Sequence, residues 1–457
     1  MRNDSRPNEA KRSELTRRGF MGAAAAATVF TVVPRHVLGG PRHVSANEKL
    51  NIAGIGVGGR GGGDLRELES ENIAVLCDVD SNRLRGASKR YPKAKTYKDF
   101  RRMLEKEEKN IDAVMCATPD HVHAPASIMA MKMGKHVYCE KPLTHSVYES
   151  RMMAETARKY KVATQMGNQG QASEGTRLTC ETIWDGAIGQ VHEVHVWTDR
   201  PMRGINGLYW PQGVERPEDA PPVPENLDWD LWLGPAPYRP YHPSYHPFKW
   251  RGWWDFGTGA LGDIGCHRID PVFRALKLGH PTTVEACCTI VNNETFPVAS
   301  RVTYEFPARG DLDPVTLHWY DGGMKPPRPK ELKEGRSWGT NGILFVGEKG
   351  KMLEDRLIPE SRQKEYGKPP RKLERSPGHH KEWILACKGG KPAGSNFPDH
   401  AGLLAQVVLL GNLALRPALK EKLARVKLHW DGDAMKVTNM PEANQYLKRE
   451  YRRGWTL

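Results

Sequence analysis

Between residues 50 and 166, short apolar runs alternate with longer amphipathic stretches. The runs Leu50–Ile55, Asn72–Cys77, Ile111–Ala117, His136–Cys139 and Val162–Met166 have the length and apolar content of buried strands. The stretches 62–70, 81–90, 98–107, 124–133 and 146–160 read as helices, and the last begins with the capping box Ser146-x-x-Glu149. Alternation at this spacing predicts a parallel sheet covered on both faces, an α/β arrangement. Ligands of such sheets bind beyond the carboxyl ends of the strands, which would place Asp78, Thr118 and Glu140-Lys141 on one edge. From about Gly167 the pattern changes. Residues 201–255 are rich in Pro, Trp, Tyr and His and read as a long irregular excursion; seven of the thirteen tryptophans lie between Trp197 and Trp254. Beyond it, Thr283–Asn292, Arg301–Phe306 and Val315–Tyr320 alternate apolar and polar residues. Val284, Ala286, Cys288 and Ile290 share one face of the first, Val302, Tyr304 and Phe306 of the second, and Val315, Leu317 and Trp319 of the third. These predict an antiparallel sheet with one buried face. Residues 321–338 and 359–378 read as Pro/Lys/Arg-rich loops, and about His400–Leu415 as an apolar helix.

The first apolar run passes directly into glycines, Gly54-Ile55-Gly56-Val57-Gly58-Gly59-Arg60-Gly61, and then into a helical stretch. Gly54-x-Gly56-x-x-Gly59 therefore sits at a strand-to-helix turn, where a pyrophosphate can approach backbone amides and a positive helix N-terminus. Asp78 closes the second apolar run, where such a unit needs an acceptor for ribose hydroxyls. Its charge would repel a 2′-phosphate, favouring NAD over NADP; Arg60 tempers that preference. A Gly-rich surface turn is the competing reading.

Composition adds less. The 457 residues suffice for two or three domains. The net charge of +14 is spread out beyond the N-terminus and favours anionic ligands without supplying the dense stripe of a nucleic-acid binder. Eight cysteines without a C-x-x-C pattern read as buried thiols. The N-terminus has its own signature: Thr16-Arg17-Arg18-Gly19-Phe20-Met21, a short apolar core from Met21 to Val33, and small residues at Val44-Ser45-Ala46. This predicts a twin-arginine export signal over 1–46 and an envelope or periplasmic location, with no stable membrane insertion, since a thirteen-residue core is too short to span a bilayer.

Three groups could carry chemistry. In Tyr138-Cys139-Glu140-Lys141-Pro142, a lysine at the mouth of a nucleotide site could lower the pKa of a substrate hydroxyl; an ordinary surface lysine is the alternative. In the glycine-rich segment from Gly257 to Asp270, Asp263 and His267 share a helix face, as a general base and a carboxylate would. No third and fourth ligand stands nearby, so no metal site is expected there. Third, Trp253 and Trp254, in Trp250-Arg251-Gly252-Trp253-Trp254-Asp255, could stack on a sugar or pin a loop.

Taken together, Gly54–Gly61, Cys77-Asp78-Val79-Asp80, Ala117-Thr118-Pro119-Asp120-His121-Val122-His123-Ala124, Gly134 to Leu143 and Gly262 to Asp270 resemble the Gfo/Idh/MocA family of glucose–fructose oxidoreductase and inositol 2-dehydrogenase. The resemblance implies an NAD-binding Rossmann domain over 47–167 and, over 168–457, a substrate-binding α+β domain with a large open, mostly antiparallel sheet; the Trp/Pro-rich insertion at 201–255 departs from the short family members. It implies NAD held by Gly54, Gly56, Gly58, Gly59, Arg60, Asp78, Thr118, Pro119, His123, Glu140, Lys141 and Gln169. It puts Lys141 beside nicotinamide and substrate, with Asp263 and His267 as the catalytic pair; Trp253 and Trp254 are expected near the substrate from their aromatic faces alone. The implied activity is hydride transfer from a secondary hydroxyl of a sugar or cyclitol to a tightly bound cofactor, in a homo-oligomer. A redox-neutral glycosidase of the α-N-acetylgalactosaminidase type is the alternative, and a non-catalytic sugar or cofactor sensor a second one.

Overall fold

Two sheets organise the chain. The computed structural model describes residues 48–419 and 427–457, with Leu50–Leu457 forming one compact unit. The expected export signal lies outside the described residues. Strands β1 (Asn51–Ile55), β2 (Asn72–Cys77), β3 (Lys95–Tyr97), β4 (Ala113–Cys116), β5 (His136–Glu140) and β6 (Thr164–Gly167) form a parallel sheet in the order β3-β2-β1-β4-β5-β6. Ile55, Cys116, Cys139 and Met166 are fully or almost fully buried because helices cover both faces. The helix Val147–Tyr160 opens with the expected capping box, Ser146 and Glu149 satisfying each other's backbone amides.

The second sheet has nine strands. These are β7 (Val191–Trp197), β8 (Thr283–Cys288), β9 (Ser300–Phe306), β10 (Val315–Tyr320), β11 (Gly342–Gly347), β12 (Gly350–Leu353), β13 (Arg356–Ile358), β14 (Leu428–Asp431) and β15 (Lys436–Val437). Their order is β13-β12-β11-β7-β10-β9-β8-β14-β15, and every pairing but β7–β10 is antiparallel. Val302, Tyr304 and Phe306 point inward as their alternation predicts. Ile290 does not: β8 ends at Cys288, and Ile290 is 91% exposed. The helices Gly259–Arg268 and Gly402–Ala414 pack together beneath this sheet, and Gly411 has no side chain because the Tyr304 hydroxyl fills the space, 2.2 Å from where a Cβ would lie.

Three features depart from the pattern. A helix, Glu360–Tyr366, forms within the stretch read as loop. The helix His379–Cys387 returns to the first sheet: Trp383 is fully buried against Tyr138, in one cluster with Ile52 and Leu65. A helix late in the sequence thus completes the packing of the first sheet. Finally, the aromatic excursion docks on the end of β2 through Ser81 N–H to Asn226 O (2.8 Å) and Asp228 N–H to Val79 O (3.0 Å). No disulfide joins the cysteines, and among the described residues no helix is long and apolar enough to cross a membrane.

Candidate active site

A cavity of about 330 Å³ opens at the carboxyl ends of β1, β2, β4 and β5. Its first wall is the glycine turn. Gly56 follows β1 at φ +78°, and a Cβ there would lie 2.7 Å from the Ala117 carbonyl oxygen. Gly58 begins the helix Gly59–Glu67 without any side-chain cap, and no acid stands in its first turn. A Cβ on Gly61 would lie 1.8 Å from the Gly56 carbonyl oxygen, so only glycine lets this helix pack on its strand. The motif is therefore Gly56-x-Gly58-x-x-Gly61, two residues later than Gly54-x-Gly56-x-x-Gly59. Gly54 is inside β1, between Leu76 and Met115, and its bare Cα makes room for Leu65. An uncapped helix N-terminus with room before it suits the pyrophosphate of a dinucleotide. Gly59, at φ +50°, has nothing within 4 Å of its missing side chain.

The flanking residues fix that turn. The Asp78 carboxylate accepts the amides of Val57 (3.0 Å) and Asp80 (2.9 Å), and burial pushes its carboxyl above the usual range. Arg60 reaches Glu140 (3.1 Å) and Asp64 (2.6 Å), and Gln169 donates to the Tyr138 hydroxyl (2.8 Å) and to Glu140 (2.7 Å). Burial, then the nearby Asp64, raises the Glu140 carboxyl to about 7. Thr118 and Pro119 line the cavity. His123 does not: both ring nitrogens face carbonyl oxygens, of Pro142 and Thr118, at 2.8 Å, so it ties the β4 and β5 loops together behind the wall. Arg83 and Lys98 line the cavity near Asp78, and neither was singled out in the sequence. Arg83 follows Asp80 by three residues, a helical spacing that could have flagged it.

The second wall is built from distant segments. Lys141, just past β5, donates to the Asp263 carboxylate and to the Asp263 carbonyl, each at 2.8 Å. The Lys141–Pro142 peptide is cis. Arg251 Nε donates to the same carboxylate oxygen at 3.0 Å, and its guanidinium lies between Phe248 and Trp250, 4.3 Å from each ring centroid. Burial alone would raise the Asp263 carboxyl; the cations Lys141 and Arg251 overcome it and hold it well below its usual range. His267, one turn on, also lines the cavity, and burial, then the Lys141 charge, pushes its imidazole down to about 3. It is neutral at pH 7. Among the described residues nothing hydrogen-bonds its ring, so Asp263 does not orient His267 but serves the two cations. Two of the three Lys141 donors are occupied, leaving one for a ligand oxygen.

Trp253 and Trp254 are elsewhere. Their indole N–H groups donate to Ser244 O (2.9 Å) and Asn292 O (3.0 Å), and both rings are buried, Trp254 against Phe296 and Arg416. They pin the excursion; the excursion's Trp and Phe residues on the cavity are Trp232, Phe248 and Trp250, and Phe100 joins them from the first domain. A buried indole satisfied by a carbonyl is core, and nothing in the local pattern separates it from Trp250, three residues before.

This geometry agrees with the family comparisons. Residues 49–168 match the model of the oxidoreductase family's NAD-binding Rossmann fold, and residues 197–310 that of its C-terminal alpha/beta domain. The chain belongs to the Gfo/Idh/MocA oxidoreductase family. Its first domain is an NAD-binding Rossmann fold, and its cofactor is NAD. Myo-inositol 2-dehydrogenase of Thermotoga maritima is 26% identical over 154 residues, 34% of this chain and 46% of that one. A glycosyl hydrolase family 109 protein of Shewanella pealeana is 25% identical over 235 residues, 43% of this chain and 51% of that one. The chain thus spans about half the length of these relatives. The WlbA dehydrogenase of Bordetella pertussis, solved with NADH and UDP-GlcNAcA, shares the fold at TM-score 0.56 and 16% identity over 84% of this chain and 99% of that one.

Proposed function

We propose that this protein oxidises a secondary hydroxyl of a sugar or cyclitol, with NAD as hydride acceptor. The observation that carries the reading is one cavity that joins the glycine turn to Lys141 and His267, with Asp263 bonded to Lys141 behind it. Bound NAD supplies an acceptor for the hydride leaving the carbinol carbon. The residues do the rest. His267, neutral and unbonded, takes the hydroxyl proton as the C–O bond becomes a carbonyl. Lys141 holds that oxygen with its remaining donor and offsets its developing negative charge. Asp263 and Arg251 hold the ammonium in place. Gly56, Gly58, Gly59, Asp78 and Arg83 would hold the cofactor.

Export by the twin-arginine machinery to the cell envelope, as a folded homo-oligomer with its cofactor tightly held, completes this reading, supported by Arg17-Arg18 and the small-residue site at 44–46. Purified protein should carry NAD(H) by mass spectrometry and reduce it with a sugar or cyclitol. Lys141→Ala should lower kcat about 10²–10³-fold while the cofactor stays bound. A near-normal rate in that variant would remove the mechanism. A second reading, redox-neutral glycoside cleavage, is favoured by the similarity to the family 109 protein. Release of free sugar from an aryl glycoside without net NADH would select it.

A further inference from the structure

Away from the cavity, β7 and β10 run parallel, with His318 paired in register to His195 and Thr316 to Glu193. Residues two apart on a strand share a face, so Glu193, His195 and His318 project together from the side opposite the buried Val194, Val196 and Leu317. His195 Nε2 lies 3.3 Å and His318 Nε2 3.2 Å from the same Glu193 oxygen, and all three atoms fall within 4.8 Å of one another. Both rings are fixed from behind. His195 Nδ1 is 3.2 Å from the Tyr320 hydroxyl, His318 Nδ1 is 3.0 Å from the Thr303 hydroxyl, and the rings stack at 5.2 Å.

Two uses of this cluster differ in their characteristic distances. A charge-assisted N–H···O contact closes to about 2.7–2.9 Å. Ligand atoms bound to a tetrahedral zinc ion at about 2.0–2.1 Å stand about 3.3–3.4 Å apart. The observed 3.3 and 3.2 Å separations are longer than such a contact and close to the edge of that tetrahedron. Imidazoles whose far nitrogens are held by hydrogen bonds are also the usual construction of a metal site.

We propose that Glu193, His195 and His318 bind one divalent transition-metal ion of the zinc class, with solvent completing the coordination beside the partly exposed Glu193. Two imidazoles and one carboxylate suit zinc, cobalt or nickel better than calcium or magnesium. The ion would clamp the sheet at its parallel junction, where strands more than a hundred residues apart in sequence meet. Arg301, whose Nη2 is 3.4 Å from His318 Nδ1, opposes the ion and limits its affinity.

The test uses the untagged full chain, stripped with chelator, dialysed and titrated with Zn²⁺ or Co²⁺. One Zn²⁺ per chain should be retained, the melting temperature should rise with Zn²⁺, and Co²⁺ should give visible bands of a four- or five-coordinate N/O site. Glu193→Gln and His318→Gln should each weaken Zn²⁺ binding at least about tenfold. Their metal-free melting temperatures should equal that of the parent chain, which separates lost ligation from misfolding. The double variant His195→Ala/His318→Ala should retain none. A parent chain that retains no Zn²⁺ overturns the site, as does a double variant that binds it as the parent does.

Discussion

The two walls of the cavity are made in opposite ways. The cofactor wall comes from one continuous stretch, Gly56 to Arg60, with Asp78 and Thr118 at neighbouring strand ends. The facing wall takes Lys141 from the first sheet, Arg251 from the aromatic excursion, and Asp263 and His267 from a helix under the second sheet. The first is specified by local spacing and backbone freedom. The second exists only when three parts of the chain meet, and its charges are set by that meeting. Substitutions should therefore fail differently on the two sides.

The largest expected effect tests whether the cofactor wall is as local as it looks. Trp383 is far away in sequence yet fully buried against Tyr138. Trp383→Ala should destabilise the protein by about 3–5 kcal/mol, read by denaturant unfolding. A loss well below that would mean the first sheet stands without its C-terminal helix. On the same wall, Gly61→Ala drives a Cβ into the Gly56 carbonyl oxygen. The expected outcome is about 1–3 kcal/mol of stability and weakened NAD binding by titration; unaltered affinity would return the fingerprint to Gly54-x-Gly56-x-x-Gly59.

On the facing wall, Arg251→Met removes one of the two cations on Asp263. KM for the hydroxyl substrate should rise about tenfold or more, with bound cofactor unchanged. Loss of NAD in this variant would erase the distinction between the walls.

The smallest effect is one of pH. A histidine whose folded pKa is depressed binds fewer protons folded than unfolded, so stability rises with pH across that interval. For His267, and for the fully buried His121, the interval runs from about 3 up to the ordinary value of 6.5. Their contribution is complete above 6.5 and is lost as pH falls towards 3. Thermal melts between pH 7 and 4 should show a progressive drop, shallower in His267→Asn. A slope unchanged by that substitution would mean His267 titrates normally in the folded protein.

Much of the molecule was legible before folding. β2, β10 and the helix Ser81–Arg90 fall where the alternation put them, because burial of one face or both leaves a period in the sequence. The three-residue β3 was not legible; it is partly exposed and too short to carry a period. Trp253 and Trp254 looked like Trp250, because a stacking platform and a core residue have the same composition.

Apolar periodicity, the glycines and the Glu-Lys-Pro and Asp/His segments sufficed for the fold class and the cofactor. Each is a local property of the chain: a period, a backbone freedom, a side-chain chemistry. Which glycines bear the turn, which carboxylate serves which cation, which tryptophans face the cavity and which histidines converge on Glu193 were decided by packing. They depend on distances between residues far apart in sequence, and those distances arise only when the two sheets and the excursion close on one another.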